Sequence, residues 1–258
     1  MKNILAAVVI ILLTLLSFGC EPRAKQKSEG LTIIKDTLSI GVEIGYPPME
    51  YYDTDGVTPI GYNIEMIKAL AQKLGLKVNF IDTAWEGILA GLDANRYDVA
   101  VNITILPERE KRYNFTKPYI SSSMTIVALK SSSLKIENLQ DIAGYRVAFQ
   151  GDTTAQYFTE RLKEQGINFT SFAYDKILNC FDDLLLGRAD LIAVDNIVAF
   201  NYAEKENSYF EVIWQGQADE YIGIALKKGN DALTDALNNA LDELFADGTM
   251  QKIFASFH

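Results

Sequence analysis

The stretch NITILPEREKRYNFTKPY, residues 102–119, sets Thr104 and Arg109 five residues apart, among two prolines and three aromatic residues. A guanidinium is a planar fork of donors and a threonine hydroxyl adds one more, so the pair has the chemistry to hold a carboxylate. Asp195, directly after the apolar run DLIAV, offers only acceptors and suits a cation. Each also has an ordinary reading. Arg109 among Glu108, Glu110, Lys111 and Arg112 reads as a solvated charged turn, Thr104 as a β-branched strand residue, and Asp195 as the N-cap of NIVAFNYAEK. The elements around them must decide.

From Thr37 onward, short β-type runs alternate with helical periods. Strands are expected at LSIGVE (38–43), KVNFI (77–81), DVAVN (98–102) and MTIVAL (124–129), with Asn63 capping a helix IEMIKALAQKL that stops at Gly75, and a second helix at EGILAGLDA. After the serine-rich SSSLKIENLQDIAG the alternation restarts: YRVAF (145–149), a helix from about Thr154, FTSFAY, a helix around Cys180 and DLIAV (190–194). The last stretch promises a strand and two helices, with Ala232, Leu233, Ala236, Leu237, Ala240, Leu241 and Leu244 on one apolar face. Two such series predict two α/β lobes, each with a mostly parallel sheet under helices.

Thirty-four acidic against 24 basic residues, a net charge of -10, argue against nucleic acid as a partner. The first twenty residues carry a positive start at Lys2, an apolar run from Ile4 to Leu16 and small residues before Cys20, which reads as an export signal over 1–19. Gly19–Cys20 resembles the bacterial lipoprotein cleavage site, with Ser17 and Phe18 as departures; Cys20 is then the lipid-bearing residue and 20–36 a tether. Cys180 shares a helical face with Ile177, Phe181 and Leu184 and reads as a small core residue, so neither a disulfide framework nor a metal cluster is expected.

GVEIGYPPMEYYDTDGVTPIGYNIEMIKALAQKLG, WEGILAGLDANRYDVAVNITILPEREKRYNFTKPY, VAFQGDTTA, RADLIAVDN and DGTMQKIF resemble, in order and spacing, the extracytoplasmic solute-binding proteins of polar amino-acid ABC importers. The resemblance implies the two-lobe periplasmic-binding-protein fold of type II, with hinges near 119–123 and 218–222. It divides the chain into a first lobe (37–120), a second lobe (121–221) and a return segment (222–258). It also implies a monomer without cofactor or catalysis, working outside the cytoplasm with a membrane permease as partner.

On that pattern Arg109 clamps the ligand's α-carboxylate, Thr104 and Thr154 add donors, and Asp195 accepts from the α-ammonium. Tyr46 and Trp85 wall the side chain, and Glu43, Asn102 and Gln150 face its end. The set most resembles the cystine-binding branch, with arginine or lysine as the alternative, because Glu43 beside two aromatic faces also suits a cation. Met49 after the double proline and VNITIL depart from both branches. Two other functions share the pattern: a sensor acting through a partner, and a cyclohexadienyl dehydratase-like enzyme for which Glu43 is the one obvious acid, the single histidine being His258.

Overall fold

The computed structural model, which describes residues 30–257, resolves the strand-helix alternation into two large sheets and one two-stranded pair. In chain order the first part contains β1 (Thr37–Val42), β2 (Tyr51–Tyr52), β3 (Pro59–Ile60), α1 (Tyr62–Leu74), β4 (Lys77–Asp82), α2 (Ile88–Asp93), β5 (Val99–Thr104), the single turn α3 (Pro107–Glu110), β6 (Tyr113–Phe115) and β7 (Ile120–Ser122). Then come β8 (Met124–Leu129), β9 (Arg146–Gln150), α4 (Thr154–Glu164), β10 (Thr170–Tyr174), α5 (Ile177–Leu185), β11 (Leu191–Asp195), α6 (Asn196–Ala203) and β12 (Phe210–Gln215). The chain closes with β13 (Glu220–Lys227), α7 (Asp231–Ala246) and α8 (Thr249–Ala255). The expected signal segment and Cys20 lie outside the described residues. Of the expected tether, residues 30–36 are described and rest on the first lobe, where Leu31 packs on the core and Ile33 N–H donates to Asp98 Oδ1 at 2.6 Å.

The first sheet runs β4-β1-β5-β13-β6 with β7 also paired to β13, and the second runs β10-β9-β11-β8-β12. The chain passes from the first to the second between Ser122 and Met124, and back between Gln215 and Glu220. The expectation of mostly parallel sheets needs correction. β4, β1 and β5 are parallel, as are β10, β9 and β11, but β13 runs antiparallel to β5 and β8 antiparallel to β11. The reason is geometric. β8 and β13 enter their sheets from the other lobe, at the end where the parallel strands finish, so they must run back along them. β6, β7 and β12, not foreseen from periodicity, are antiparallel additions whose apolar pattern is short or irregular.

Alternation along each strand feeds two faces. In the first lobe Leu38, Ile40 and Val42 pack under α1 and α7, through Ile64, Ile67 and Leu70 and through Leu233, Leu237, Leu241 and Leu244. Ala232 is exposed and leaves the expected apolar face, while Thr234 is buried. In the second lobe Val147 and Phe149 meet Phe158 and Leu162 of α4, and Ala148 meets Ile177, Cys180, Phe181 and Leu184 of α5. α1 stops at Gly75 in the left-handed conformation, as expected. Asn63 does not cap it: Gly61 is the N-cap, and the Asn63 side chain is fully buried in a bond to Glu50.

On the other face of the first sheet the Tyr97 ring, 1% exposed, fills the space between Gly41 and Gly91, and a Cβ at either glycine would overlap it. Gly91→Ala therefore sets helix propensity, worth about 1 kcal/mol in favour, against overpacking of about 1–3 kcal/mol. We expect a lower melting temperature for Gly91→Ala, with part of the loss recovered in Gly91→Ala/Tyr97→Phe, since the hydroxyl is the nearest obstacle. An unchanged or higher melting temperature in a thermal denaturation scan would show that this contact is not tight.

Candidate functional site

The parallel strands of both sheets finish at the gap between the lobes, where open α/β sheets place their ligands. Glu43 follows β1, Thr104 ends β5, Gln150 ends β9 and Asp195 ends β11. Loops add Tyr46 and Glu50 on either side of the cis Pro47–Pro48 pair, Trp85 from a 3-10 turn and Arg109 from α3. All nine residues expected from the sequence line one cleft with about 470 Å³ of space free of protein atoms, together with four that were not expected: Glu50, Thr153, Glu220 and Ile222.

One end of the cleft is built for an anion. Arg109 is 8% exposed, and Nη1 donates to the Thr104 carbonyl at 3.2 Å. Burial pulls its pKa down, opposed by the neighbouring Tyr157 hydroxyl and by Glu108 and Glu220. Across the gap, Thr153 caps α4 without bonding the first-turn N–H groups, because its hydroxyl donates to the Gln150 carbonyl at 2.7 Å. The open first turn of α4 and its dipole thus favour negative charge beside Arg109.

The rest of the lining is acidic. Asp195 divides its oxygens: Oδ1 caps α6 by accepting from Ile197 N–H at 3.0 Å and Val198 N–H at 3.1 Å, while Oδ2 accepts from the Tyr46 hydroxyl across the cleft. The expected cap is thus made by one oxygen, while the other is turned to the cleft. Glu43 Oε2 accepts from Gln150 Nε2 at 2.8 Å, again from lobe to lobe, and leaves Glu43 Oε1 and Gln150 Oε1 buried without a partner. Glu50 accepts from Asn63 and Asn102, and Glu220 from the Thr154 hydroxyl at 3.3 Å. Desolvation raises all four carboxyl pKa values, to about 8 for Glu50 and about 7 for Glu220. Trp85 Nε1 donates to the Asp152 carbonyl at 3.0 Å and so closes one side of the cleft. Among the described residues, no group of His, Cys, Asp or Glu is arranged to hold a metal ion.

Asn102 owes its place to backbone geometry. Opposite Ile224 of β13, β5 carries two residues, Val101 and Asn102, so the pairing shifts there and Asn102 takes φ +62°. This is a β-bulge, and asparagine tolerates that conformation better than most side chains. Glu50 and Glu220 escaped the sequence reading because an acid in PPMEYYD or ADEYIG looks like surface charge. The single hint was a carboxylate set between apolar and aromatic neighbours.

Bacterial extracellular solute-binding proteins, family 3, match residues 38–258. The chain is 31% identical over 254 residues to the L-cystine-binding protein TcyJ of Escherichia coli (strain K12), covering 98% of this chain and 92% of that one. Among solved structures, an ancestral arginine-binding protein bound to arginine is 33% identical with a TM-score of 0.80, over 86% of this chain and 98% of that one. The ancestral amino acid-binding protein AncCDT-1, a precursor of cyclohexadienyl dehydratase, is 30% identical with a TM-score of 0.79, over 86% and 95%.

The raised carboxyl values fix the sign of a pH effect. The folded protein holds protons on Glu50 and Glu220 at pH values where the unfolded chain, with carboxyls near 4.5, has lost them. Stability contributed this way is complete below about pH 4.5 and is lost as pH rises through about 7 to 8. The ligand-stripped protein should therefore melt at a lower temperature at pH 8.5 than at pH 6, and Glu50→Gln should flatten that slope. A wild-type melting temperature that rises across this range would contradict the assignment.

Proposed function

The chain belongs to the bacterial extracellular solute-binding proteins, family 3, and from that premise we propose that it captures an L-amino acid with a cationic side chain, arginine foremost, and delivers it to the permease of an ABC importer. The observation that carries the side-chain class is the pair of buried acceptors without partners, Glu43 Oε1 and Gln150 Oε1, in a cleft with four carboxylates and one guanidinium. A guanidinium or ammonium brings only donors and meets both oxygens. A carboxylate or carbonyl there would face oxygens alone, at the cost of unpaired buried groups.

The remaining contacts follow from the chemistry of an α-amino acid. Its carboxylate meets Arg109, Thr104 and the first turn of α4 at Thr154, and its ammonium meets Asp195 Oδ2 with Glu220 nearby. Tyr46 and Trp85 wall the aliphatic stem and stack on a delocalised cation. Residues 122–124 and 215–220 serve as the two hinges. The bonds from Tyr46 to Asp195, Gln150 to Glu43, Trp85 to Asp152 and Thr154 to Glu220 all cross the cleft and would break on opening. Closure over the ligand creates the shape that a permease reads. In this reading the protein acts as a monomer outside the cytoplasm, anchored through Cys20, and does no chemistry on its ligand.

Cystine is the second reading, favoured by the likeness to TcyJ along nearly the whole chain. Its second ammonium would meet Glu43 and Gln150, and Lys176, whose charge acts on Glu43, would be the cation for its second carboxylate.

Isothermal titration of the refolded, ligand-stripped protein with arginine, lysine, glutamine and cystine separates these readings. Arginine should bind tightest. Cystine binding without arginine binding would select the second reading, and no binding by any of the four would sink both. Arg109→Ala should lose binding while melting cooperatively, and Asp195→Asn, which keeps an oxygen for the cap, should weaken binding by about 2–5 kcal/mol. A cation favours the ionised acids and releases protons on binding, so arginine affinity should be higher at pH 8 than at pH 5.5. The opposite slope would rule out contact with these carboxylates.

A further inference from the structure

One cleft acid has no place in that set of contacts. Glu50 lies two residues beyond the Pro47–Pro48 pair and is 2% exposed, and each of its oxygens is met by a primary amide. Oε2 accepts from Asn63 Nδ2 at 2.6 Å and Oε1 from Asn102 Nδ2 at 2.8 Å. Asn63 is fully buried in the first turn of α1, behind the cleft, and pins the carboxylate from that side. Asn102 lines the cleft itself.

Both Glu50 oxygens accept here, the arrangement of an ionised carboxylate, and in that form Glu50 takes only the donor end of the Asn102 amide, which could otherwise donate or accept. With Nδ2 turned to Glu50 and the backbone N–H donated to the Tyr119 hydroxyl at 3.2 Å, the acceptor that Asn102 keeps for a ligand, on the side of the amide away from Glu50, is Oδ1. Among the described residues nothing donates to that oxygen. Glu43 and then Asp195 are the charges that raise the Glu50 carboxyl, so this device has other cleft acids for neighbours.

We propose that Glu50 is a positioning residue for ligand specificity: by accepting the Asn102 amide it turns the Asn102 carbonyl oxygen toward the side-chain end of the bound amino acid, so that the cleft accepts a donor-only group and rejects one that brings an acceptor. The proposal rests on the amino-acid-binding reading above. It extends the selecting surface to a bulge residue and to a carboxylate that does not touch the ligand. It also gives the left-handed backbone at Asn102 a purpose, since the bulge is what aims the amide between Glu50 and the cleft.

Arginine and citrulline supply the test, because they share a length and differ in a guanidinium against a urea whose oxygen needs a donor. In Glu50→Gln the new amide has the same size and can donate to Asn102 Oδ1, which turns Asn102 Nδ2 into the cleft. The ratio of arginine to citrulline affinity, measured by isothermal titration, should fall by about tenfold or more in Glu50→Gln, a difference set by one unpaired buried group. Adding Asn102→Asp should restore the ratio, because that side chain presents an acceptor whichever way it turns. Asn102→Gly suits the positive φ and should lower the ratio with Glu50 intact, which keeps the proposal testable if Glu50→Gln does not fold. Equal changes for both ligands in these variants would overturn the role of Glu50 while arginine capture by the wild type stands. A wild type that binds neither ligand would overturn the amino-acid-binding reading, and this proposal with it.

Discussion

A carboxylate taken out of water must be met by donors, or its charge becomes costly enough that it takes up a proton. Four of them, Glu43, Glu50, Asp195 and Glu220, meet at the gap between two sheets, and much of the architecture around the gap supplies their donors. The start of α6 meets Asp195, amides of three separate segments meet Glu43 and Glu50, and a hydroxyl at the start of α4 meets Glu220. These donors come from both lobes, so the demand of the acids is itself a force that draws the lobes together. The same demand is incompletely met, since Glu43 Oε1 is buried without a donor.

Strand direction explains why so many functional groups converge. In each sheet three parallel strands finish at the gap, and the antiparallel strand beside them begins there, since it has just crossed from the other lobe. Strand ends leave side chains and backbone groups outside the ladder, free to meet a ligand, while the strand bodies are committed to the cores under α1, α7, α4 and α5. A bulge in β5 adds Asn102 to this set by turning a residue that regular pairing would have kept in the sheet.

Desolvation raises the carboxyls of Glu50 and Glu220, and on the reading proposed above a cationic ligand would offset that cost. Binding energy in such a site comes partly from relief of that cost, which couples affinity to pH and couples capture to closure. The comparison with relatives agrees in kind: similar chains are described as binding cystine in one case and arginine in another, on what the structures show to be one scaffold. On the reading proposed above, differences in ligand would rest on a few cleft groups, Glu43, Gln150 and Asn102.

Most of the scaffold was legible in the order of residues. The family resemblance carried by NITILPER and RADLIAVDN put Thr104, Arg109 and Asp195 in one site; period-2 and period-3.6 patterns located the long strands and helices, and Gly75 marked a helix end. Local chemistry suffices for such features because neighbours in sequence set them. Asn63 shows the limit: its type and position fit a cap, yet a partner 13 residues away, Glu50, took its side chain into the core. Glu50 and Glu220 could not be recognised as cleft acids, nor the Asn102 amide given a direction, because burial and bonding there depend on contacts such as Asn102 with Glu50, 52 residues apart, and Tyr46 with Asp195, 149 apart. The sequence alone determined which groups were available and which strand ends would carry them; the tertiary structure decided which were taken from water and which oxygen each amide would meet, since desolvation and hydrogen-bond direction exist only once distant segments are brought face to face.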